Sequence, residues 1–288
     1  MKLIHYFFTL NFLLTVPCHG GPIIIGNGAG LVEMQTVFVW KNIHKFIQIC
    51  RASPACKLDS KSALVLTETL QKPRAELIFI SGKTAPNLIL KDSQSELLGF
   101  GTKGFAPSQV YINTDKLYEN ISNKKHTISD SINLLTAAIA YQSKYSVQDS
   151  IKLGKIVGEF WNSKIQESNF KTTQDQSIQL ALVVQNNLPQ IILLAKDQFN
   201  YLNPEINLKL SEFTGENSLV QLTAIMSPYL VEGLNNQVSL VAKIEFLIDK
   251  KINFADVAIS FNLNNIDKLN IQFYNIEPQN MTQFKAPQ

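Results

Sequence analysis

Apolar residues recur at helical spacing in the first part of the chain. Between Val32 and Cys50 they return every three or four positions, which predicts an amphipathic helix that ends near Pro54. A shorter helix is predicted around residues 63–70, before Pro73. The amino-terminal part of the molecule is therefore expected to contain helices.

Short apolar runs follow these helices. Residues 76–80 and 87–90 predict two strands, because each run is bounded by turn-forming glycine or proline. A third strand is predicted at 109–113. Strands and helices thus share this part of the chain, which is typical of an α+β domain.

Two glycine-rich segments flank the predicted elements. Residues 99–104 lack the Gly-Lys-Ser/Thr ending of a phosphate-binding loop and no strand-to-helix context follows, so we interpret them as a plain loop. Residues 26–30 are interpreted as a flexible amino terminus of the mature protein. Neither segment predicts a nucleotide site.

Two more helices are predicted before residue 163. Ser129 or Asp130 is expected to cap the first, whose isoleucine, leucine and alanine residues form a narrow, close-packing face. Ser146 begins a capping-box pattern for the second helix. Trp40 and Trp161 lie at apolar positions of their helices and are expected in the core.

The hydrophobic period changes to two in the second half of the chain. A polar stretch, residues 166–176, precedes the change and is interpreted as an interdomain linker. Asn235-Asn236 is among the predicted turns, and convincing helices are missing from this half of the pattern. The alternating strand candidates are residues 177–182, 206–210, 219–223, 238–241, 255–261 and 269–273.

Length and charge add limits to this picture. The 288 residues favour two domains, and 45% hydrophobic with 17% charged residues is a globular composition. We expect an α+β domain at 21–165, the linker at 166–176, and an all-β, antiparallel, sandwich-like domain at 177–288. A formal net charge of +3 supplies no broad basic field, so no nucleic-acid partner is expected.

The first twenty residues have the pattern of a secretory signal peptide. One lysine precedes an apolar run too short for a confident membrane span, and Cys18 and Gly20 are small residues at the positions that signal peptidase reads. We expect cleavage after Gly20, and a secreted or periplasmic protein without a later transmembrane segment. Lipidation of Cys18 is not favoured, because Pro17 and Thr15 do not fit a lipobox.

Removal of the signal peptide leaves two cysteines, Cys50 and Cys56. In an oxidising compartment this spacing predicts a short disulfide loop at the end of the first helix. A redox pair or half of a metal site is the alternative, but the spacing is not Cys-x-x-Cys and a second cysteine pair does not follow.

Few residues are available for catalysis. His44 and His126 are the histidines left in the mature chain. His126 could act as a general base, but we interpret it as a solvated loop residue, and we interpret His44 as a surface or half-buried residue. The sequence has no Gly-x-Ser-x-Gly, no His-Glu-x-x-His and no Gly-x-Gly-x-x-Gly after a strand. A glycosidase would need two carboxylates, and no motif nominates a pair. We therefore expect no catalytic residue, no cofactor and no metal site.

The order of features in residues 26–161 resembles secreted zincin-like metallopeptidases of predatory and related bacteria. The resemblance rests on the pattern of elements and short motifs rather than on signature residues. It follows the glycine-rich start, the first helix, Gly101-Thr102, the strand at 110–113 with Leu117-Tyr118 after it, and the alanine-rich helix that begins at Ile132-Asn133-Leu134-Leu135.

In those enzymes the matching helix carries the zinc motif. Laid on residues 134–141, the first histidine falls on Ala137, the glutamate on Ala138 and the second histidine on Tyr141. Alanine cannot bind zinc, and a tyrosine cannot replace two ligands and a base. The resemblance therefore implies an inactive relative.

Two functions from different classes follow. The first is a non-catalytic scaffold or pseudoenzyme that binds an envelope or extracellular protein or a glycan. The second is a secreted hydrolase whose active site is assembled across both domains. A cleft with convergent titratable groups would favour the hydrolase, and an apolar helix groove lined by alanines would favour the scaffold.

Overall fold

The structure is a computed structural model. It describes residues 23–24, 30–71, 76–81, 109–115, 117–118, 126–185, 188–195, 198–214 and 220–278. The predicted signal peptide at 1–20, the predicted strand at 87–90 and the glycine-rich loop at 99–104 lie outside these residues.

Four helices form the amino-terminal layer, and all four are predicted by the pattern of apolar residues. Asp59 caps the second helix, because its Oδ1 accepts a hydrogen bond of 2.8 Å from the backbone N–H of Ser62. This hydrogen bond also lowers the pKa of Asp59. The helices are α1 (Leu31–Ala52), α2 (Ser60–Gln71), α3 (Ile128–Gln142) and α4 (Val147–Asn162).

Helix α1 lies at the centre of this layer. Its residues from Val32 to Trp40 are all buried, so its first half is surrounded by protein on every side. It packs against the other three helices and against a β-sheet from the second half of the chain. Trp161 of α4 donates a hydrogen bond from its indole nitrogen to the carbonyl oxygen of Phe46, at 3.1 Å. Both tryptophans are core residues, as predicted.

A small parallel sheet accompanies the helices. Its order is β1 (Ile23–Ile24), β2 (Glu76–Ile80), β3 (Gln109–Asn113). Ile23 pairs with Leu77, and Gly30 is the N-cap of α1. The prediction of a flexible amino terminus is therefore wrong at Gly30, which begins a buried helix, while residues 26–29 lie outside the described part of the chain.

Two antiparallel four-stranded sheets form the second half. The middle sheet has the order β4-β5-β6-β7, and the outer sheet has the order β11-β10-β9-β8. The strands of the middle sheet are β4 (Ile165–Lys171), β5 (Ser177–Gln185), β6 (Leu188–Ala195) and β7 (Gln198–Tyr201). Those of the outer sheet are β8 (Val220–Glu232), β9 (Gln237–Ile248), β10 (Lys251–Asn262) and β11 (Asn265–Pro278). This confirms an α+β region followed by an all-β region.

The middle sheet belongs to two cores. On β6, Ile192 and Leu194 face the helices and pack into the same core as α1. Their neighbours Ile191 and Leu193 point the other way and pack against the outer sheet. The molecule is therefore layered, with helices on one face of the middle sheet and the outer sheet on its other face.

Two elements differ from the alternation pattern. Residues 206–210, predicted as a strand, lie in helix α5 (Asn203–Thr214). Ile206 and Leu210 are buried one helical turn apart, whereas Leu208 between them is 62% exposed, so a period of two is wrong here. Residues 191–195 of β6 do not alternate between apolar and polar, because this part of the strand is buried on both faces.

The expected linker is also partly wrong. Residues 166–171 form most of β4, an edge strand that pairs with β5 along its whole length. Its polar composition reflects its place at the edge of the sheet, where alternate residues reach solvent. Residues 172–176 form the turn between the two strands, closed by a hydrogen bond of 2.9 Å from the N–H of Thr172 to the carbonyl oxygen of Gln176.

The predicted cysteine pair is together at the end of α1. The sulfur atoms of Cys50 and Cys56 lie at disulfide distance, and their Cα atoms are 5.2 Å apart. Cys50 is fully buried, and the N–H of Ser53 donates to its carbonyl oxygen at 3.0 Å. The bridge closes the last turn of the helix onto the segment that leads to α2.

Replacement of Leu193 by alanine should destabilise both cores together. Leu193 packs in the core between the middle and outer sheets, which we call the sandwich core. Loss of its side chain should lower the free energy of unfolding by about 2 to 5 kcal/mol. Because the helical layer packs on the same middle sheet, it should unfold at the same lower urea concentration. Urea denaturation followed by the fluorescence of Trp40 and Trp161, which both lie in the helical core, should show a lower midpoint. The matched variant Ile192→Ala faces that core directly. An unchanged fluorescence midpoint in Leu193→Ala would instead support two independent domains.

Candidate functional site

Helix α3 begins with a complete capping box. The hydroxyl of Thr127 accepts from the N–H of Asp130, and a carboxylate oxygen of Asp130 accepts from the N–H of Thr127 at 2.9 Å. The expected cap at Ser129 or Asp130 is therefore wrong by two or three positions. Asp130 takes part as the third residue of the helix, which is the role of the acidic residue in this motif.

The three residues of α3 that the resemblance aligns with the zinc motif, Ala137, Ala138 and Tyr141, pack against the helical core. Ala137 and Ala138 are buried, and Tyr141 is half-buried against the helical core. Gly154 of α4 faces α3 so closely that a Cβ atom placed on it would lie 2.9 Å from the Cβ of Ala137. The small residues of α3 therefore allow α4 to approach.

This close contact leaves little space at Ala137 for a larger side chain. A Cβ atom on Gly154 would also lie 2.5 Å from the carbonyl oxygen of Asn133, and one on Gly158 would lie 2.7 Å from the Cβ of Asn133. Among the described residues, no group of three or more His, Cys, Asp or Glu side chains could hold a metal ion.

His126 takes part in a buried hydrogen-bond network. It is half-buried, and its Nε2 lies 2.8 Å from the hydroxyl of Ser131, so its interpretation as a solvated loop residue is wrong. The hydroxyl of Ser131 also lies 3.5 Å from that of Thr36 on α1. Burial lowers the pKa of His126, while the nearby carboxylate of Asp130 acts in the opposite direction.

A second chain of polar contacts joins the helical layer to the middle sheet. Gln35 of α1 donates to the Oε1 of Gln179 at 2.9 Å, and Gln179 donates to the Oε2 of Glu167 at 2.7 Å. The Oε1 of Glu167 accepts from the N–H of Ile128 at 2.7 Å. A carboxylate at this position is stabilised by the partial positive charge of the helix amino terminus.

These two chains meet at the start of α3. We call the set Gln35, Thr36, His126, Ser131, Glu167 and Gln179 the polar junction. Ser131 and His126 have the contact distance of a nucleophile and its general base. However, Ser131 is 0% exposed, so its hydroxyl is not presented to a substrate. The geometry supports a hydrogen-bonded frame that holds α1, α3 and the middle sheet in register.

Glu33 forms a separate buried contact on α1. Its Oε1 accepts from the phenol of Tyr118, and its Oε2 is buried without a hydrogen-bond partner among the described residues. Burial raises the pKa of Glu33, and the hydrogen bond from Tyr118 opposes this effect. Burial and the carboxylate of Glu33 together raise the pKa of Tyr118.

His44 lies away from the polar junction. Its Nε2 is 3.3 Å from the side-chain nitrogen of Gln48, and burial lowers the pKa of His44. His44 follows Thr36 by eight residues, or about 12 Å along α1. Thr36 contacts Ser131, which in turn contacts His126, so His126 lies near Thr36. His44 and His126 are therefore too far apart to bind one metal ion together.

The outward side chains of the outer sheet include several exposed apolar residues. We call this side of the sheet the outer face, formed by the side chains of β8–β11 that point away from the middle sheet. Tyr229 (55% exposed), Val231, Ile252 and Tyr274 (47% exposed) lie on it, and they are four of the eight exposed large apolar side chains among the described residues. In the middle of the outer face, the Nζ of Lys243 lies over the ring of Phe254, 5.3 Å from its centroid. This is within the distance of a cation–π contact.

Comparison with known proteins leaves these features to be interpreted on their own. No protein-family model matches the chain, and no significant match was found among curated proteins or solved structures. No described helix is both long enough and apolar enough to cross a membrane.

The functional groups of the polar junction were not predicted from the sequence. Glu167 lies in the stretch interpreted as a linker, and Gln179 occupies a buried position of β5. Ser131 is one polar residue on an apolar helix face. A weak signal existed in His126, which lies two residues before α3, the helix that carries Ser131.

Substitution of Gly154 by alanine should disrupt the contact between α3 and α4. The added methyl group would overlap the backbone of Asn133, at a cost of about 1 to 3 kcal/mol, which should outweigh the helix propensity that alanine gains. Urea denaturation should show a lower free energy of unfolding. The control Lys155→Ala removes an exposed side chain from the next position of α4 and should stay within about 0.5 kcal/mol of the native protein. Equal stability of all three proteins would contradict this packing.

Proposed function

We propose that this protein is a secreted or periplasmic bacterial scaffold without catalytic activity, which binds a protein partner through the outer face. Export is supported by the signal-peptide pattern and by the cysteine pair at disulfide distance. The outer sheet has one face packed in the second core, and exposed side chains of the described residues lie on its other face.

The observation that carries the proposal is that four of the eight exposed large apolar side chains among the described residues lie on the outer face. Scattered apolar residues are normal on protein surfaces, but a concentration on one face marks an interaction site. Tyr229, Val231, Ile252 and Tyr274 place two rings and two branched side chains on the same sheet. Aromatic residues of this kind are enriched at protein interfaces, where they bury large areas at small entropic cost.

The surroundings of α3 support the non-catalytic part of the proposal. The positions that match zinc ligands in zincin-like metallopeptidases are Ala137 and Tyr141, and Ala137 is in contact with α4. A relationship to those enzymes would therefore be that of a pseudoenzyme, in which the former motif helix is used for packing. The fully buried Ser131 is likewise part of the frame and not of a reactive surface.

A photoreactive benzoylphenylalanine placed at Tyr229 should crosslink to a partner in the exported protein. The ring at this position is exposed on the outer face, so a bound partner would lie within its reach. The matched control carries the same residue at Leu64 of α2, which is 50% exposed but lies on a different surface. Denaturing gel electrophoresis and mass spectrometry of the adduct give the readout. Absence of an adduct at position 229, or equal yields at both positions, would refute the outer face as the binding surface. An adduct with a glycan would show that the partner is a glycan and not a protein.

One observation favours the hydrolase as a second candidate. The distance of 2.8 Å between the Nε2 of His126 and the hydroxyl of Ser131 fits a base and a nucleophile, and the lowered pKa keeps His126 neutral and able to accept a proton. Local opening of the start of α3 would be needed to expose Ser131.

Labelling by a fluorophosphonate reagent separates the two candidates. The native protein should show no labelling, because Ser131 is fully buried, and Ser131→Ala should behave identically. Intact-mass spectrometry after prolonged incubation measures the adduct. Stoichiometric labelling of the native protein that is lost in Ser131→Ala would establish the hydrolase instead.

A further inference from the structure

The register of the outer sheet makes the outer face complementary to itself. Strands β9 and β10 are the two inner strands, and their outward residues lie directly opposite each other. The outward pairs are Leu247 with Ile252, Glu245 with Phe254, Lys243 with Asp256, Val241 with Ala258, and Ser239 with Ser260. Four of these five pairs join side chains of matching chemistry: two apolar pairs, one pair of opposite charges and one pair of hydroxyls.

This arrangement has a consequence for two copies placed face to face. A two-fold axis parallel to the strands, between β9 and β10, would place each member of a pair over the other member in the second copy. Val241 would lie over Ala258 of the second copy, and Leu247 over its Ile252. Lys243 would lie over the second copy's Asp256, and the same contact would occur twice by symmetry.

The edge strands follow the same rule. Met226 of β8 lies in the row of Lys243 and Asp256, and Tyr274 of β11 is at the other end of that row. The two-fold axis would therefore place Met226 over the second copy's Tyr274. Tyr229 would lie over Gln272, since both belong to the row of Val241 and Ala258. The ring of Tyr274 would therefore contact the thioether of Met226, and the ring of Tyr229 would contact the amide of Gln272, so the two exposed rings would not meet each other.

The size of the face agrees with a stable dimer. Strands β9 and β10 have 12 residues each. Such strands extend for about 40 Å, and four of them span about 19 Å, so the face covers about 800 Å². This is about the area that each partner contributes to a standard protein interface.

Association through the strand edge is disfavoured by comparison. Strand β8 lies at one edge of the outer sheet, and its register shifts twice, between Leu222 and Ala224 and between Met226 and Tyr229. Ser227 has a φ of 48°, and Pro228 follows it. Bulges and proline prevent an edge strand from pairing with another chain, so the flat face is the better surface for association.

We propose that the partner on the outer face is a second copy of this chain, in a symmetric dimer with the Lys243 and Asp256 pairs at its centre. This rests on the proposed function, because it names the partner of that same face. Each pair joins oppositely charged groups of the two copies, while the contacts within each chain, such as the hydrogen bond from Asn275 to Asp256, are kept.

Sedimentation equilibrium of the exported, disulfide-bonded protein tests the dimer without any other ligand. The native protein should sediment with twice the mass of one chain at micromolar concentration. Lys243→Asp should raise the dissociation constant at least about tenfold, because two like charges then meet twice across the interface. The double variant Lys243→Asp with Asp256→Lys exchanges the two charges and should restore the dissociation constant to within about threefold of the native value.

A second variant avoids any change of the charged pair. Ala258→Arg places a large charged group in the centre of the outer face, and its matched control, Leu208→Arg, puts the same residue on the exposed surface of α5. Ala258→Arg should be monomeric with an unchanged circular dichroism spectrum, and Leu208→Arg should remain dimeric. A monomeric native protein, or a dimer that is insensitive to Ala258→Arg, would overturn this proposal. If crosslinking at Tyr229 then still captures a different protein, the scaffold function stands and only the identity of the partner is wrong.

Discussion

The middle sheet is buried on both of its faces, and this double burial couples the helices to the outer sheet. Ile192 and Leu194 of β6 contribute to the helical core, and Ile191 and Leu193 contribute to the sandwich core. A strand with this composition is stable only when apolar layers cover both of its sides. The helices and the outer sheet are therefore required by the same few residues, and neither layer is an independent addition to the other.

The position of α1 follows from this constraint. A helix that covers a sheet on one side and is itself covered by three helices is buried all round, which explains the unbroken burial from Val32 to Trp40. Its polar residues must then find partners inside the protein, because buried groups without hydrogen bonds are costly. Gln35 and Thr36 meet this requirement through the polar junction, which joins α1 to β5 and to the start of α3.

Close packing also explains which residues occur on α3. Its alanines allow α4 to approach within contact of Ala137, and its amino terminus is held by Glu167. Both interactions use the helix as a structural element. Exposed apolar side chains lie instead on the outer face. The inward residues of its four strands are constrained by packing in the core, whereas the outward residues are not.

Elements that bury one face, or whose ends carry characteristic capping or turn residues, were predictable from the chain alone. Helices α1 to α4 follow from their apolar period, residues 238–241 of β9 and 255–261 of β10 from alternation, and the turn at Asn235-Asn236 from residues that tolerate positive φ, here 56° and 61°. The rest of β9 and β10, together with β6, β4, α5 and the polar junction, depends on tertiary contacts. Local periodicity reports a single buried face, whereas a strand covered on both sides, a polar edge strand such as the one with Glu167, and hydrogen bonds between residues more than 90 positions apart, such as Thr36 and Ser131, depend on which layers meet in space.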